Sequence, residues 1–416
     1  KSVKDKHYKA KDRVLYYLDL GMLYYYNQEP EISNETLSKA EIGIDENYTK
    51  SISKAAVSFL LNDNALDYAG EDYEDIYLNI FKSLNYLTLG SFDGAFVEIR
   101  RINNKLDGLE DKYKKMAESY QNTENNKAKF TTAENRFHND ALGRYLSMLI
   151  YRAEGKLDDA RIDSNKLSDA WTQQSHIYNF PKPDLSNFLE PTDKARLNII
   201  GFCGKSPVKK AKTLYIHTEK NLIIVATTER KPEGETTVGF LNALPWEGVQ
   251  KGYHFKFQLP FIEEVNSNVG SIRVVVNESQ SVELSLLEDF GKVAVETFKL
   301  KEPLIYTKTI ARTVIKGLFA EKRKEEMEKK IANPLLGLAA RLATDAAVDA
   351  TENADLRISR FFPDQARIAE ILVEPGCHQL KIEYYSKNGT LLFVDDFGMI
   401  DVKKNDLNLI KSCYLN

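Results

Sequence analysis

The run Glu71-Asp72-Tyr73-Glu74-Asp75 places four carboxylates in five residues directly after Gly70, at the head of a segment whose apolar residues recur every three or four positions. Acids in a first helical turn complement the positive end of the helix dipole, so the run reads first as a helix start and second as a contact for a cation or a basic peptide. Farther along, Asn79, Lys82 and Tyr86 fall at i, i+3 and i+7, a polar and aromatic stripe on a helix otherwise rich in Ile, Leu and Phe. Such a stripe either makes hydrogen bonds between helices or, in a groove, holds an extended peptide. Glu98 and Arg101 sit at i and i+3 with Arg100 beside them, the spacing of a surface ion pair that could also meet an anion. Glu71, Glu74, Asn79, Lys82, Tyr86, Glu98, Arg100 and Arg101 are therefore the candidate protein-contact residues. Lys205, Lys209, Lys210 and Lys212 surround Ser206-Pro207 without an acid near them in sequence, a candidate loop for a phosphate or an anionic lipid headgroup.

Catalytic patterns are missing from the sequence. There is no Gly-x-Ser-x-Gly elbow, phosphate-binding loop, His-Glu-x-x-His or dinucleotide glycine fingerprint. The six histidines lie singly, and Cys203, Cys377 and Cys413 lack the spacing of a zinc site. The expectation is a protein with no catalytic residues, no metal and no cofactor. A hydrolase assembled from distant residues is the minor alternative, because triads need no sequence proximity. Cys377 and Cys413 both fall in late strand-like segments, so an oxidising compartment would allow one bridge between them.

With 43% hydrophobic and 28% charged residues the chain is an ordinary globular one, and a formal charge of -4 excludes a broadly cationic nucleic-acid binder. Its 416 residues leave room for two or three domains. From Asp12 to about Asp169 the apolar period is helical. Within that region Gly90-Ser91-Phe92-Asp93-Gly94-Ala95 and Gly155-Lys156-Leu157-Asp158-Asp159-Ala160 repeat one pattern, which resembles the inter-helix turn of a tetratricopeptide repeat. Their spacing departs from the regular ~34 residues, with the polar stretch Gln121 to Asn135 between them. Prolines 181, 183 and 191 mark a linker over 181–195. Beyond it the period changes to two, predicting strands at Leu214–His217, Leu222–Thr227, Tyr253–Leu259 and Ile272–Val276. No helix alternates with them, so an antiparallel sandwich is expected, not a parallel sheet. Residues 309–353 return to helix as a pair broken at Asn333-Pro334, inserted in the β region, and strands resume from Gln365. The expected class is multidomain α + β: helical repeats over 1–180, an antiparallel β domain over 196–308, the inserted helical pair, and strands within 354–416 completing the β domain.

Several segments together resemble an uncharacterised family of bacterial outer-membrane lipoproteins with a tetratricopeptide-like N-terminal half. They are Tyr17-Leu-Asp-Leu-Gly-Met-Leu-Tyr24, Tyr48 to Ser53, Tyr68 to Glu74, Leu84 to Tyr86 with Leu87, Val97 to Arg101, and Ala354 to Gln365 followed by Pro375-Gly376. Where the family pattern has Trp after an Arg-Ser-like pair, this chain has Phe361 one position later. The resemblance implies a periplasmic protein tied to the outer membrane by a lipid anchor outside this chain, its signal segment removed, as the opening Lys-Ser-Val-Lys also suggests. It implies envelope proteins as partners and no assigned enzymatic activity. The expected function is a scaffold that binds partners through its helical half. The alternative is a wall- or glycan-binding β domain with Trp246, Tyr253 or Phe255 stacking on sugars.

Overall fold

The computed structural model describes residues 7–55, 59, 61–123, 128–230, 236–330 and 353–416. The N-terminal half is helical: α1 (Arg13–Tyr26), α2 (Pro30–Ser53), α3 (Asp72–Thr88), α4 (Phe92–Gln121), α5 (Ala141–Ala153) and α6 (Leu157–Gln173). Neighbours in sequence pack as α1 on α2, α3 on α4 and α5 on α6, with α2 also against α3 and α4 against α5. The two repeated glycine motifs are the turns of the second and third pairs. Gly90 (φ 71°) and Gly155 (φ 74°) take the left-handed conformation that ends one helix tightly, and Ala95 and Ala160, fully buried, let the next helix close on it. In the first pair a Cβ on Gly21 would lie 2.6 Å from the Leu37 side chain, so α1 and α2 meet where no side chain intervenes.

The rest of the chain is rich in antiparallel sheet. One sheet orders β12 (Leu409–Tyr414), β1 (Ala195–Cys203), β9 (Gln365–Val373) and β8 (Ser285–Asp289). A second orders β11 (Leu391–Val402), β10 (Gly376–Ser386), β6 (Val269–Val276) and β7 (Gln280–Glu283). A third orders β4 (Thr236–Pro245), β3 (Leu222–Arg230), β2 (Val208–Glu219) and β5 (His254–Glu263). The ladders are antiparallel except β1 with β12, which run parallel from Asn198 beside Leu409 to Cys203 beside Tyr414. The expectation of purely antiparallel pairing misses this pair because it joins strands from the two ends of the β region. Ile199, Val274, Ile371 and Ile382 belong to one apolar cluster, so the first two sheets bury inner faces together.

Helix α7 (Phe290–Lys330) starts well before Thr309 and carries Pro303 inside it. The β domain expected over 196–308 is therefore too long at its C-terminal end. Glu302-Pro303 looks like a break, yet Phe290, Val293, Ala294, Phe298 and Leu304 keep a helical period and are all buried. The Asn333-Pro334 break and the small-residue stretch after it lie outside the described residues.

The largest apolar cluster contains residues from Val14 to Leu407, joining the helical half to the sheets. Its centre is aromatic. The Phe81 ring of α3 lies 5.4 Å from Phe202 of β1 and 5.8 Å from Phe362, and Tyr77 lies 4.1 Å from Phe290 of α7. Phe81→Ala should therefore cost about 3–5 kcal/mol, and both halves should unfold together. The two tryptophans, Trp171 on α6 and Trp246 after β4, report on each half. Urea melts of Trp171→Phe and Trp246→Phe should share one midpoint, and two separated midpoints would show that the shared core does not couple the halves.

Candidate functional site

Charge at the seam between the halves is organised by the start of α3. Glu74 reaches back to accept the Glu71 N–H at 2.7 Å, half of a capping box, and also accepts the Tyr68 hydroxyl at 2.7 Å and the Ser359 N–H at 2.5 Å. Burial, helped by the charge of Glu71, pushes the Glu74 carboxyl up to about 7 despite these donors. Glu71 meets Lys209 of β2 and Lys301 of α7, both at 2.7 Å. Asp72 accepts from Lys112 at 2.8 Å and from the Tyr113 hydroxyl at 2.6 Å, both on α4. Burial alone would lower the Lys301 ammonium and raise the Asp72 carboxyl; their opposite-charge neighbours outweigh it, so both are ionised.

The segment before β9 straps this seam. Arg357 donates to Asp355 at 2.8 Å, to Asp12 at 3.2 Å and to the carbonyls of Asp63 and Leu66, with its guanidinium 5.2 Å from the Tyr68 ring centre. Ser359 donates to Asp19 of α1 at 2.7 Å, and the Phe361 carbonyl accepts the Tyr26 hydroxyl at 2.7 Å.

Beside the strap lies a cavity of about 330 Å³, bounded by the end of α2, residues 63–71, α4, β2, β5, α7 and residues 355–357. Glu71, Lys112, Lys209, Lys301 and Lys308 line it, together with Tyr48, Met116, Leu304 and Ile305. Lys308 pairs with Asp63 at 2.6 Å. This volume is at the lower end for small-molecule sites, which are mostly apolar with a few placed polar groups.

The stripe Asn79, Lys82 faces inward, away from any groove. Asn79 is fully buried and Lys82 is 2% exposed. Lys82 meets Glu41 of α2 at 2.8 Å and Glu98 of α4 at 3.0 Å, and Asn79 donates to the same two carboxylates at 3.0 and 2.6 Å. Arg101 and Lys105 reach Glu41 at 2.8 Å, and Lys105 also meets Asp75 at 2.7 Å. Burial would raise Glu41, but Lys105 and Lys82 hold it down at about 2. Glu98, expected on the surface, is buried in this network, whereas Arg100 is exposed and Tyr86 is half-buried against Gly94. Glu71 and Glu74 are also interior, so of the eight protein-contact candidates only Arg100 and Arg101 present exposed side chains. Glu41 and Lys105 escape sequence reading because their partners come from other helices.

The lysine cluster is divided by strand geometry. Successive side chains on β2 point to opposite faces, so Lys210 and Lys212 are exposed while the Lys209 side chain, 4% exposed, turns inward to Glu71. Lys205 is exposed ahead of the strand, and Lys210 pairs with Glu263 at 2.6 Å. Trp246 and Phe255 are buried, which removes two of the three aromatics proposed to stack on sugars. The three cysteines are free thiols, Cys377 and Cys413 standing in different sheets. Two more buried carboxyls, Asp140 and Glu288, lie at the start of α5: Asp140 accepts the Gly143 N–H at 2.5 Å, and Glu288 accepts the Tyr178 hydroxyl at 3.1 Å. Burial pushes Asp140 up to about 6 and Glu288 higher than its ordinary value. Among the described residues, no three His, Cys, Asp or Glu side chains are arranged to hold a metal ion, and no helix is long and apolar enough to cross a membrane.

No family model matches the chain, and neither a curated protein nor a solved structure matches it significantly. The likeness to outer-membrane lipoproteins therefore rests on the sequence segments that carry it.

Two outcomes test these networks. Lys82→Met leaves Glu41 and Glu98 buried without that shared cation, and should cost about 3–5 kcal/mol in urea denaturation at pH 7. A loss below about 1 kcal/mol would mean that water or Arg101 replaces it. Glu74, raised from its ordinary 4.5 to about 7, has a contribution to stability that is full below the unfolded value and is lost as pH rises through 7. Wild type should lose up to about 3 kcal/mol from this group between pH 4.5 and 8. Glu74→Gln should flatten that fall, at a pH-independent cost for an amide NH₂ facing backbone N–H donors; an unchanged slope would assign the proton elsewhere.

Proposed function

We propose that the chain is a non-enzymatic adaptor of a cell-envelope assembly, binding protein partners through its helical half. The helix pairs are read as degenerate tetratricopeptide-like units and the first two sheets as a β-sandwich that holds them. The resemblance to outer-membrane lipoproteins supports a periplasmic setting, with an anchor outside the chain.

The observation that carries the reading is the shared core and interlocked charge at the seam. The helical half is joined to the sheets by Phe81, Glu71 and the strap, so its outer helices form a fixed surface and not a freely bending array. That surface retains exposed apolar side chains, among them Leu23 of α1, Ile42 of α2 and Ile162 of α6. Glu71, Lys112, Lys209 and Lys301 at the seam cavity are ion-paired to buried partners, an arrangement that supports recognition more than proton transfer. The sugar-binding alternative is weakened by the burial of Trp246 and Phe255.

Lysine crosslinking on intact envelopes should give links to other proteins from Lys39, Lys114 and Lys156, which are about half exposed on the helical half. Ile42→Asp should reduce those links while leaving the urea midpoint unchanged. Good coverage with intramolecular links alone would sink the adaptor reading.

A further inference from the structure

We propose that the seam cavity binds an anionic amphiphile: a carboxylate or phosphate headgroup on an apolar body of small-molecule size. The proposal stands apart from the adaptor reading, because it concerns a cavity and not the outer helices.

Two properties of the cavity carry it. One is composition. Tyr48, Leu66, Met116, Pro260, Leu304 and Ile305 give an apolar wall contributed by five different parts of the chain. Apolar concavity of this volume supplies affinity for a hydrocarbon or ring, since its surface leaves water on binding. The other is charge. Seven basic and four acidic residues line the space, and Asp72 and Asp12 pair with Lys112 and Arg357 from just behind it, which leaves an excess of one positive charge. Each ammonium has three N–H donors, and the carboxylates facing Lys112, Lys209, Lys301 and Lys308 hold those nitrogens in fixed positions with donors to spare. Fixed ammonium groups beside an apolar wall match a ligand with one anionic end and one apolar end.

The alternatives fit less well. A bare inorganic anion gains little, because the lysines already have carboxylate partners and the anion would have to shed its own water. A neutral hydrocarbon leaves the positive excess unanswered. A folded protein segment is too large for about 330 Å³.

The test uses the full chain and 1-anilinonaphthalene-8-sulfonate as the probe, an aromatic body with one sulfonate, followed by displacement. The probe should bind saturably at one site per chain. Dodecanoate or dodecyl phosphate should displace it about tenfold more effectively than dodecanol, with the better of the two naming the headgroup, and inorganic phosphate should not displace it. Met116→Trp, which fills the cavity, should weaken probe binding about tenfold, and the rim reversal Lys50→Glu with Lys54→Glu should weaken it about threefold at low salt. Near-ultraviolet circular dichroism confirms that each variant is folded, and the rim variant keeps the test open where the tryptophan does not fit. Non-saturable probe binding, equal displacement by dodecanol, displacement by phosphate alone, or binding unchanged in the folded variants would each overturn the proposal.

Discussion

Helix α3 is buried on nearly every side, and this one constraint organises the molecule. Fifteen of its seventeen residues are buried, and among them are Asp72, Glu74, Asp75, Asn79, Lys82 and Asn85. A helix buried all round is ordinarily apolar all round, because an unpaired polar group inside costs about twice what a hydrogen bond gains. Here each of these six has to be met by a particular neighbour. Glu41 and Glu98 meet Lys82; Ser33 and Asn34 meet Asn85; Lys105 meets Asp75; Lys112 meets Asp72; Ser359 meets Glu74. Those partners come from α2, α4 and the strap before β9, so the helix fixes where all three lie.

Apolar contacts could not do this as selectively. Phe81, Tyr77 and Ile80 would tolerate a neighbour displaced by a fraction of a turn with modest repacking, whereas a displaced Glu41 would strand Lys82 in the interior. The buried ion pairs need not add much net stability over a well-packed apolar core. Their effect falls on the alternatives, since each wrong docking of the helical half on the sheets leaves a charge unpaired. The strap extends the same logic across the chain: Arg357 and Ser359, far along the sequence, close on Asp12, Asp19 and Glu74 near its start.

What sequence reveals and what it hides follow from the range of these interactions. The change of period near residue 195 separates helix from strand because periodicity is local, and the turns at Gly90 and Gly155 are legible because glycine there has a local job. The stripe Asn79, Lys82, Tyr86 is legible as a stripe, but the side it faces depends on Glu41 and Glu98 on two other helices. Spacing alone cannot supply that. Lys209 misleads similarly, since a run of lysines looks solvated until strand alternation turns one of them inward to Glu71. Helix α7 begins earlier than the expected Thr309 and holds Pro303, a local breaker, because Phe290, Val293, Phe298 and Leu304 are buried on both sides of it. The parallel β1–β12 pair is hidden for the opposite reason, having no local signal.

The cavity is a consequence of the same scheme. Charged residues at the N-terminal end of α3 draw lysines from α4, α7 and β2 toward one point, and long side chains that converge from several elements do not tile as closely as apolar ones. Space remains beside Glu71, walled by the apolar stems and rings that flank the ion pairs. Because the lysines are held by the carboxylates that dock the two halves, they are preorganised before any ligand arrives, and binding would order few side chains. The same coupling imposes a limit. A substitution that unpairs Lys112, Lys209 or Lys301 would disturb the seam as well as the cavity, so the function of the cavity is accessible to mutation chiefly at its apolar wall and outer rim. The structural and recognition roles of this charge cluster are thus one arrangement seen from its buried and its open side.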